Sequence, residues 1–253
     1  TGESPLSTVK NWVELTDSKT GKKYIRETNT MPGSAGSSWY FLRYMDPKNT
    51  SAPWSQEAVS YWKNVDLYLG GSEHAVGHLL YARFWHKFFF DLGLVPTKEP
   101  FQKLVHQGLM LGEDGEKMSK SRGNVVNPDD LVKEYGADTF RIYEMFMGPL
   151  QKVKPWQTGG MEGAYRYLQR FSRLVFDSDG SLSSKIIDLD PKEWPQGLET
   201  QLHRTIKQVT EDIEALSFNT AISTLMIFQN EVQKAIGDDK PIPRKLVESY
   251  VLL

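Results

Sequence analysis

The sequence predicts an α/β region followed by an all-α region, and three observations carry that expectation. Short apolar runs at 65–69 and 103–106 each end in a glycine-bearing turn, Gly70-Gly71 and Gln107-Gly108, as buried strands of a parallel sheet do. From residue 165 the apolar residues recur at helical spacing instead: Tyr165, Leu168, Phe171 and Val175, then Leu202, Ile206, Val209, Ile213 and Leu216, then Ala221, Leu225, Phe228, Val232 and Ile236. Between these patterns, 148–158 is a stretch rich in Pro, Lys, Trp and Gln. The expected division is 1–150 for the α/β region and 151–253 for a helical bundle.

Taken in order, Trp12 to Leu15 and Lys23 to Glu27 alternate apolar and polar residues around a turn containing Gly21, which predicts a β-hairpin. The stretch 28–36 is small and irregular. After it, Ser37-Ser38-Trp39-Tyr40-Phe41-Leu42-Arg43 reads as a helix start capped by serine, with core packing as the plainer role of its aromatics. A loop of Pro, Asn and Ser at 46–55 precedes the strand at 65–69. Ligands of open parallel sheets gather beyond strand carboxyl ends, and there this chain places Gly70-Gly71-Ser72-Glu73-His74, with a helix expected over 75–91. Paired glycines let backbone approach a ligand, a carboxylate such as Glu73 can accept from a ribose hydroxyl, and a helix start offers unpaired N–H groups. His74 and His78 are four apart and share a helical face; two hydrogen-bonded structural histidines remain the alternative, and no third ligand points to a metal.

The stretch with the most chemistry is Lys117-Met118-Ser119-Lys120-Ser121, which closes the turn Gly112-Glu113-Asp114-Gly115-Glu116 and precedes Arg122-Gly123-Asn124. Two lysines three apart, on a loop read as having no apolar anchor, can reach one polyphosphate, where each ammonium acts as a point charge. Seryl hydroxyls and exposed N–H groups add neutral donors. A solvated charged loop is the bland alternative. Downstream, Asn127-Pro128-Asp129-Asp130 is a helix start with an Asn cap, Pro in the first turn and acids at the positive end of the dipole. That helix is expected to stop at Gly136, and another to run over 138–147 before Gly148-Pro149. The loop is therefore expected to be tethered at its Asn127 end alone.

In the bundle, Asn219 is read as the cap of the third helix, and 177–195 as an acidic, Ser-rich and mobile loop. Arg166, Arg170 and Arg173 recur at i, i+4 and i+7, a basic face suited either to solvent or to a nucleic-acid backbone. No repeat of fixed period is present.

Composition bounds the function classes. With 253 residues, 39% hydrophobic and 25% charged, the chain can bury the core of one or two ordinary globular domains. Absence of cysteine excludes disulfides and thiolate zinc sites and fits a cytoplasmic setting. No run of eighteen apolar residues predicts a membrane span. A net charge of −2 means that any RNA contact must rest on local patches.

At several of these stretches the chain resembles the leucyl-tRNA synthetases of bacterial type, within the class I aminoacyl-tRNA synthetases. The resemblance runs through Gly70-Gly71-Ser72-Glu73-His74-Ala75, His78 to Phe84, Lys117 to Ser121, Asn127 to Asp130, Tyr135 to Thr139, Met145 to Leu150 and Phe218 to Ile222, and covers nearly the whole chain. It implies the C-terminal half of a Rossmann-like catalytic domain followed by the start of an anticodon-binding bundle. The implied reaction is activation of leucine by ATP to leucyl-adenylate, with Mg²⁺ sharing the phosphate charge, then transfer to tRNA(Leu). The implied parent is monomeric, cytoplasmic and free of membrane contact.

Residue by residue, the resemblance puts Lys120 and Lys117 on the leaving pyrophosphate, with Met118, Ser119 and Ser121 completing the ATP loop. Gly70, Gly71 and Glu73 would hold ribose, His74 would lie near the adenylate and Gln107 near adenine. Ser37 and His78 would line the leucine pocket, and Arg166, Arg170 and Arg173 would meet tRNA. His74-Ala75-Val76-Gly77-His78 imitates the family's His-Ile-Gly-His signature but spaces its histidines by four rather than three, and Lys117 follows His78 by only 39 positions. The true signature is thus expected elsewhere, the chain is read as an internal fragment, inactive alone, and a compact nucleotidyltransferase or a regulatory tRNA-binding paralogue stays open.

Overall fold

The computed structural model describes residues 2–29, 35–237 and 240–253. The stretch 30–34, part of the segment expected to be irregular, lies outside the described residues. Two compact units are present, Thr1–Val105 and His106–Leu253.

In the first unit, a short turn of helix α1 (Lys10–Val13) leads into the expected hairpin, β1 (Glu14–Thr16) against β2 (Lys23–Ile25), antiparallel with Leu15 opposite Tyr24. The Asp17 carboxylate accepts from the Lys19 and Thr20 N–H groups, which folds the turn over its own backbone. Helix α2 (Tyr40–Arg43) is short, and Trp39 rather than a serine occupies its cap. Ser37 and Ser38 form the preceding 3₁₀ turn instead. Helix α3 (Gln56–Trp62) carries a true serine cap, with Ser55 accepting from the Ala58 N–H.

Strand β3 (Val65–Gly71) is followed by a 3₁₀ turn (Ser72–His74), a π-helical turn (Ala75–Leu79) and then α4 (Leu80–Asp91), so the regular helix starts later than the sequence suggests. Strand β4 (Phe101–Gln107) pairs with β3. The Val65 N–H donates to the Pro100 carbonyl, so the two strands begin at the same edge and α4 is the crossover of a parallel pair. With one neighbouring strand among the described residues, β3 leaves Leu67 and Leu69 41% and 52% exposed, unlike a strand covered on both faces. The core gathers Phe41, Leu42, Trp54, Val59, Ala82 and Val95. Arg83 forks onto the Glu99 carboxylate at 2.8 Å through both nitrogens and Lys87 joins at 3.0 Å, which pulls the Glu99 pKa down to about 2.

The second unit opens with β5 (Met110–Leu111). Helix α5 (Pro128–Tyr135) starts as expected, Asn127 accepting from the Asp129 N–H, and ends at Gly136; α6 (Ala137–Phe146) follows at once. Strand β6 (Lys154–Pro155) runs parallel to β5, with Met110 opposite Lys154. Helices α7 (Met161–Val175), α8 (Leu198–Glu214), α9 (Phe218–Ile236) and α10 (Arg244–Leu252) form the helical region, with β7 (Ile186–Ile187) and β8 (Ile242–Pro243) as a short parallel pair. Ser217, not Asn219, stands at the α9 cap position, and Asn219 lies inside the helix, its carbonyl accepting from the Ser223 hydroxyl.

The segment expected to be a mobile loop is built. Asp190 and Glu193 form a capping box, Asp177 accepts from the Ser184 N–H, and Ile186 and Trp194 bury in the bundle core around Phe228, Val232 and Leu246. Asp177, Asp179 and Asp190 each accept from a backbone N–H of the same segment. A second cluster, Leu131, Tyr143, Trp156, Met161 and Ala164, joins α5, α6 and α7.

Candidate active site

At the carboxyl end of β3 the chain turns through Gly70 and Gly71. Gly71 is buried, and a Cβ there would collide with the Glu73 carboxylate, so the bare Cα is what lets Glu73 fold back over the strand end. The same carboxylate lies 3.8 Å from His74 Nε2. The π-helical turn brings the His74 and His78 rings to a centroid distance of 6.5 Å at 88°. His78 is half-buried: its ring hydrogen bonds to the Ser37 backbone, and Nε2 lies 2.5 Å from the Tyr68 hydroxyl. Burial, with His74 nearby, pushes the His78 imidazole below its ordinary range, so the ring is neutral at pH 7. Ser37 and His78 are thus brought together, as are Gly71, Glu73 and His74. Gln107 stands exposed as the last residue of β4.

The lysine loop of the second unit is a folded turn. Leu111 and Lys117 face each other across an antiparallel bridge, and the Gly112 N–H donates to the Glu116 carbonyl at 2.8 Å. Asn124 ties the loop's limbs together: its Oδ1 accepts from the Ser119 N–H at 2.8 Å, and its Nδ2 donates to Asp114 Oδ2 at 3.0 Å. Arg122 pairs with Glu116 at 3.1 Å, and Glu113 Oε1 accepts from the Thr158 N–H at 3.0 Å. Met118 packs against the cluster of Leu131, Tyr143 and Trp156. Two expectations are corrected here, because Met118 is an apolar anchor and the loop is held at several points besides Asn127.

Around that frame the polar heads stay available. The Ser119 and Ser121 hydroxyls are 2.8 Å apart. Lys117 and Lys120 are exposed, and among the described residues neither ammonium has an ion-pair partner, although Glu113, Asp114 and Glu116 share the loop. Neighbouring donors occupy those acids instead. Backbone and Asn124 donors hold the Asp114 carboxyl below its ordinary range, and Thr158 does the same for Glu113.

The basic row on α7 divides. Arg170 and Arg173 line a cavity of about 460 Å³ together with Lys185, Asp177, Ser183 and Gln233, whereas Arg166 is exposed outside it. Arg170 donates to Asn230 Oδ1 at 3.2 Å, and Arg173 Nε donates to the Gln169 carbonyl at 3.2 Å. Sequence reasoning missed Tyr68, Asn124 and Lys185. Of these, only Asn124 had a local signal, an amide side chain directly after a glycine in a turn.

Residues 55–154 match the family described as tRNA synthetases class I (I, L, M and V), and residues 196–244 match the anticodon-binding domain of tRNA ligase. Among solved structures, a LeuRS of Agrobacterium radiobacter K84, in a ternary complex with tRNA and LeuAMS, is 34% identical at a TM-score of 0.76; the match covers 98% of this chain and 32% of that one. The stretch 55–154 of this chain belongs to the class I tRNA synthetases. The chain spans about a third of the length of that LeuRS. A Mycobacterium tuberculosis methionyl-tRNA synthetase in complex with methionyl-adenylate shares the fold at 17% identity and a TM-score of 0.56, covering 78% of this chain and 38% of its own. Within this chain, both the β3 end and the lysine loop fall inside the matched 55–154, while Ser37 and the α7 arginines fall outside both matched stretches.

Among the described residues no group of three or more histidine, aspartate or glutamate side chains could hold a metal, and no helix is long and apolar enough to cross a membrane.

Proposed function

We propose that this chain carries part of a leucine–tRNA ligase: ATP and leucine give leucyl-adenylate and pyrophosphate, and the leucyl group then passes to a ribose hydroxyl of tRNA(Leu). Residues 1–150 would supply the catalytic part, and 151–253 the start of the anticodon-binding part, of a monomeric cytoplasmic enzyme. The observation that carries this reading is the pair of unpaired lysine heads on a loop whose own acids are already occupied.

Such a loop is suited to a polyphosphate. Lys120 and Lys117 meet charge that grows on the leaving pyrophosphate, and the Ser119 and Ser121 hydroxyls with nearby N–H groups add donors. Met118 seats the loop. Glu73 accepts from ribose beside Gly70 and Gly71, His74 lies by the adenylate and Gln107 by adenine. Ser37 and His78 wall the leucine side chain, and Arg166, Arg170 and Arg173 meet the tRNA backbone. Mg²⁺ would arrive with ATP and share the charge of its phosphates. Positioning of the α-phosphate and the leucine carboxylate supplies the rest of the rate.

Leucine as the substrate is supported by 34% identity to a LeuRS over nearly the whole chain. The test is amino-acid-dependent exchange of pyrophosphate into ATP by the full-length protein. Leucine should give the highest kcat/KM against isoleucine, valine and methionine; preference for one of those would overturn leucine while leaving the class of reaction intact.

A further inference from the structure

Between Lys117 and Lys120 lies Met118, the one apolar side chain in residues 112–124. It is half-buried and packs on the cluster of Leu131, Tyr143, Trp156, Met161 and Ala164, against which Met110 and Met147 also pack. Four thioethers thus share one cluster with the rings of Tyr135, Phe140, Tyr143 and Trp156. Thioethers pack softly against aromatic rings and adapt to shifts, which suits the seat of a loop that moves. The loop's other side-chain ties are polar: Asn124 to Ser119 and Asp114, Arg122 to Glu116, and Glu113 to Thr158.

In a chain without cysteine, methionine is the side chain that carries reversible peroxide chemistry. The sulfur lone pair attacks one oxygen of hydrogen peroxide, and an S–O bond forms as the O–O bond breaks. The departing oxygen takes the proton and leaves as water, so sulfur is oxidised by two electrons and the peroxide is reduced by two. The sulfoxide is polar and needs a donor. The ring donors of this cluster are already engaged: the Tyr143 hydroxyl donates to the Gln157 carbonyl at 2.6 Å, Trp156 Nε1 donates to Thr158 Oγ1 at 2.9 Å, and the Tyr135 hydroxyl bonds to Glu134. A buried polar oxygen without a partner is costly, so the oxidised side chain leaves the cluster and the backbone between the two lysines moves with it.

We propose that Met118 is a site of reversible oxidation by hydroperoxides, and that its sulfoxide unseats the lysine loop and slackens the clamp. The proposal rests on the reading above that Lys117 and Lys120 meet a polyphosphate. Exposure sets where the oxidant acts. Met145 is 38% exposed and stands outside the cluster, Met118 is half-buried, and Met161 is fully buried. Met145 and Met118 should therefore oxidise while Met161 stays a thioether, and only the change at Met118 should reach the lysines.

In this chain, without nucleotide, hydrogen peroxide should add one oxygen to Met118, read by peptide mass spectrometry. Exchange of the bonded amides over 112–124 should then quicken about tenfold while that over 198–236 is unchanged. Met118→Gln, a polar side chain of similar length, should quicken the same amides without oxidant. In the full-length protein, amino-acid-dependent exchange of pyrophosphate into ATP should fall about tenfold as the Met118 sulfoxide accumulates, and methionine sulfoxide reductases acting on both epimers should restore it. Each variant is compared with its own untreated rate: Met118→Leu should resist peroxide, whereas Met145→Leu should lose as much as the unmodified protein. Absence of sulfoxide at Met118 while Met145 is oxidised, or a sulfoxide at Met118 with unchanged exchange over 112–124, would overturn the seat. Equal loss of activity in treated Met118→Leu and unmodified protein would overturn its link to the clamp. A Lys120→Ala protein as active as the unmodified one would instead remove the polyphosphate reading alone, because the amide exchange needs no nucleotide.

Discussion

At the end of β3 the polar side chains are turned toward one another: Tyr40, Tyr68 and His78 form one bonded series that ends on the Ser37 backbone, among stacked rings. In the loop over 112–124 the division is different. Exposed carboxylates and one carboxamide hold the backbone, while the two lysine heads project into solvent. The first arrangement suits a wall whose shape must exist before the ligand arrives, because desolvated neighbours fix each rotamer. The second suits a clamp that closes on charge, since exposed hydrogen bonds are individually weak and exchangeable.

That contrast predicts that substitutions on the two sides fail in different ways, and the largest effect belongs to the clamp. Lys120→Ala in the full-length protein should lower the rate of adenylate formation about 100-fold while leaving leucine affinity within about twofold, because a contact made as pyrophosphate leaves is lost. Rapid-quench measurement over a range of leucine concentrations separates the two; equal loss of affinity and rate would erase the distinction.

His78→Ala is the counterpart on the wall. Discrimination of leucine over isoleucine or methionine should relax by roughly 10- to 150-fold, with a smaller effect on the rate at saturation. Competition between amino acids in the exchange assay reads this directly.

Smaller, and confined to the loop, is the effect of Asn124→Ala. The substitution removes the acceptor of the Ser119 N–H and the donor to Asp114, so amide exchange at Ser119 should quicken about tenfold. Exchange over 65–80 and the melting temperature should stay put. A global loss of stability would mean that the loop is part of the core rather than a latch on it.

Acid sharpens the comparison with the smallest effect. His78, and His86 buried against Thr97, have folded pKa values pushed down by burial, so the unfolded chain binds more protons as pH falls. Their stabilisation is fully present above the unfolded pKa of about 6.5 and is lost as pH drops through the folded values. Asp114 and Glu113 are depressed carboxylates, whose contribution is present above their unfolded values near 4 and is lost only below them. As pH falls from about 6.5 toward the carboxylate range, amide protection around His78 and His86 should therefore fall before that of the loop. Loss in the reverse order would contradict the assignment of the bonds.

Sequence made parts of this legible because their causes are local. Asn127-Pro128-Asp129-Asp130 announces its helix by chemistry contained within four residues, and the i, i+4 spacing in α8 and α9 announces the bundle. The Tyr40 to Tyr68 bond joins residues 28 apart, and nothing in either stretch says that two phenols will meet. The π-helical turn at Ala75–Leu79 hides for another reason: one extra residue in a turn barely disturbs the apolar pattern. Local chemistry also misled. Asn219 has cap chemistry, yet α9 begins one residue earlier, with Ser217 before it, and the acidic 177–195 looked mobile although Asp177 and Asp190 bond the backbone that lets Trp194 bury.

The contrast between a prebuilt wall and a closing clamp is tested most directly by hydrogen–deuterium exchange of the full-length protein with and without ATP. Residues 112–124 should gain about tenfold or more in protection when ATP binds, while 65–69 and 75–80, which flank the ribose contacts at Gly70, Gly71 and Glu73, should change little. A loop already slow to exchange without ATP, or protection that appears over 65–69 and 75–80 instead, would contradict the account.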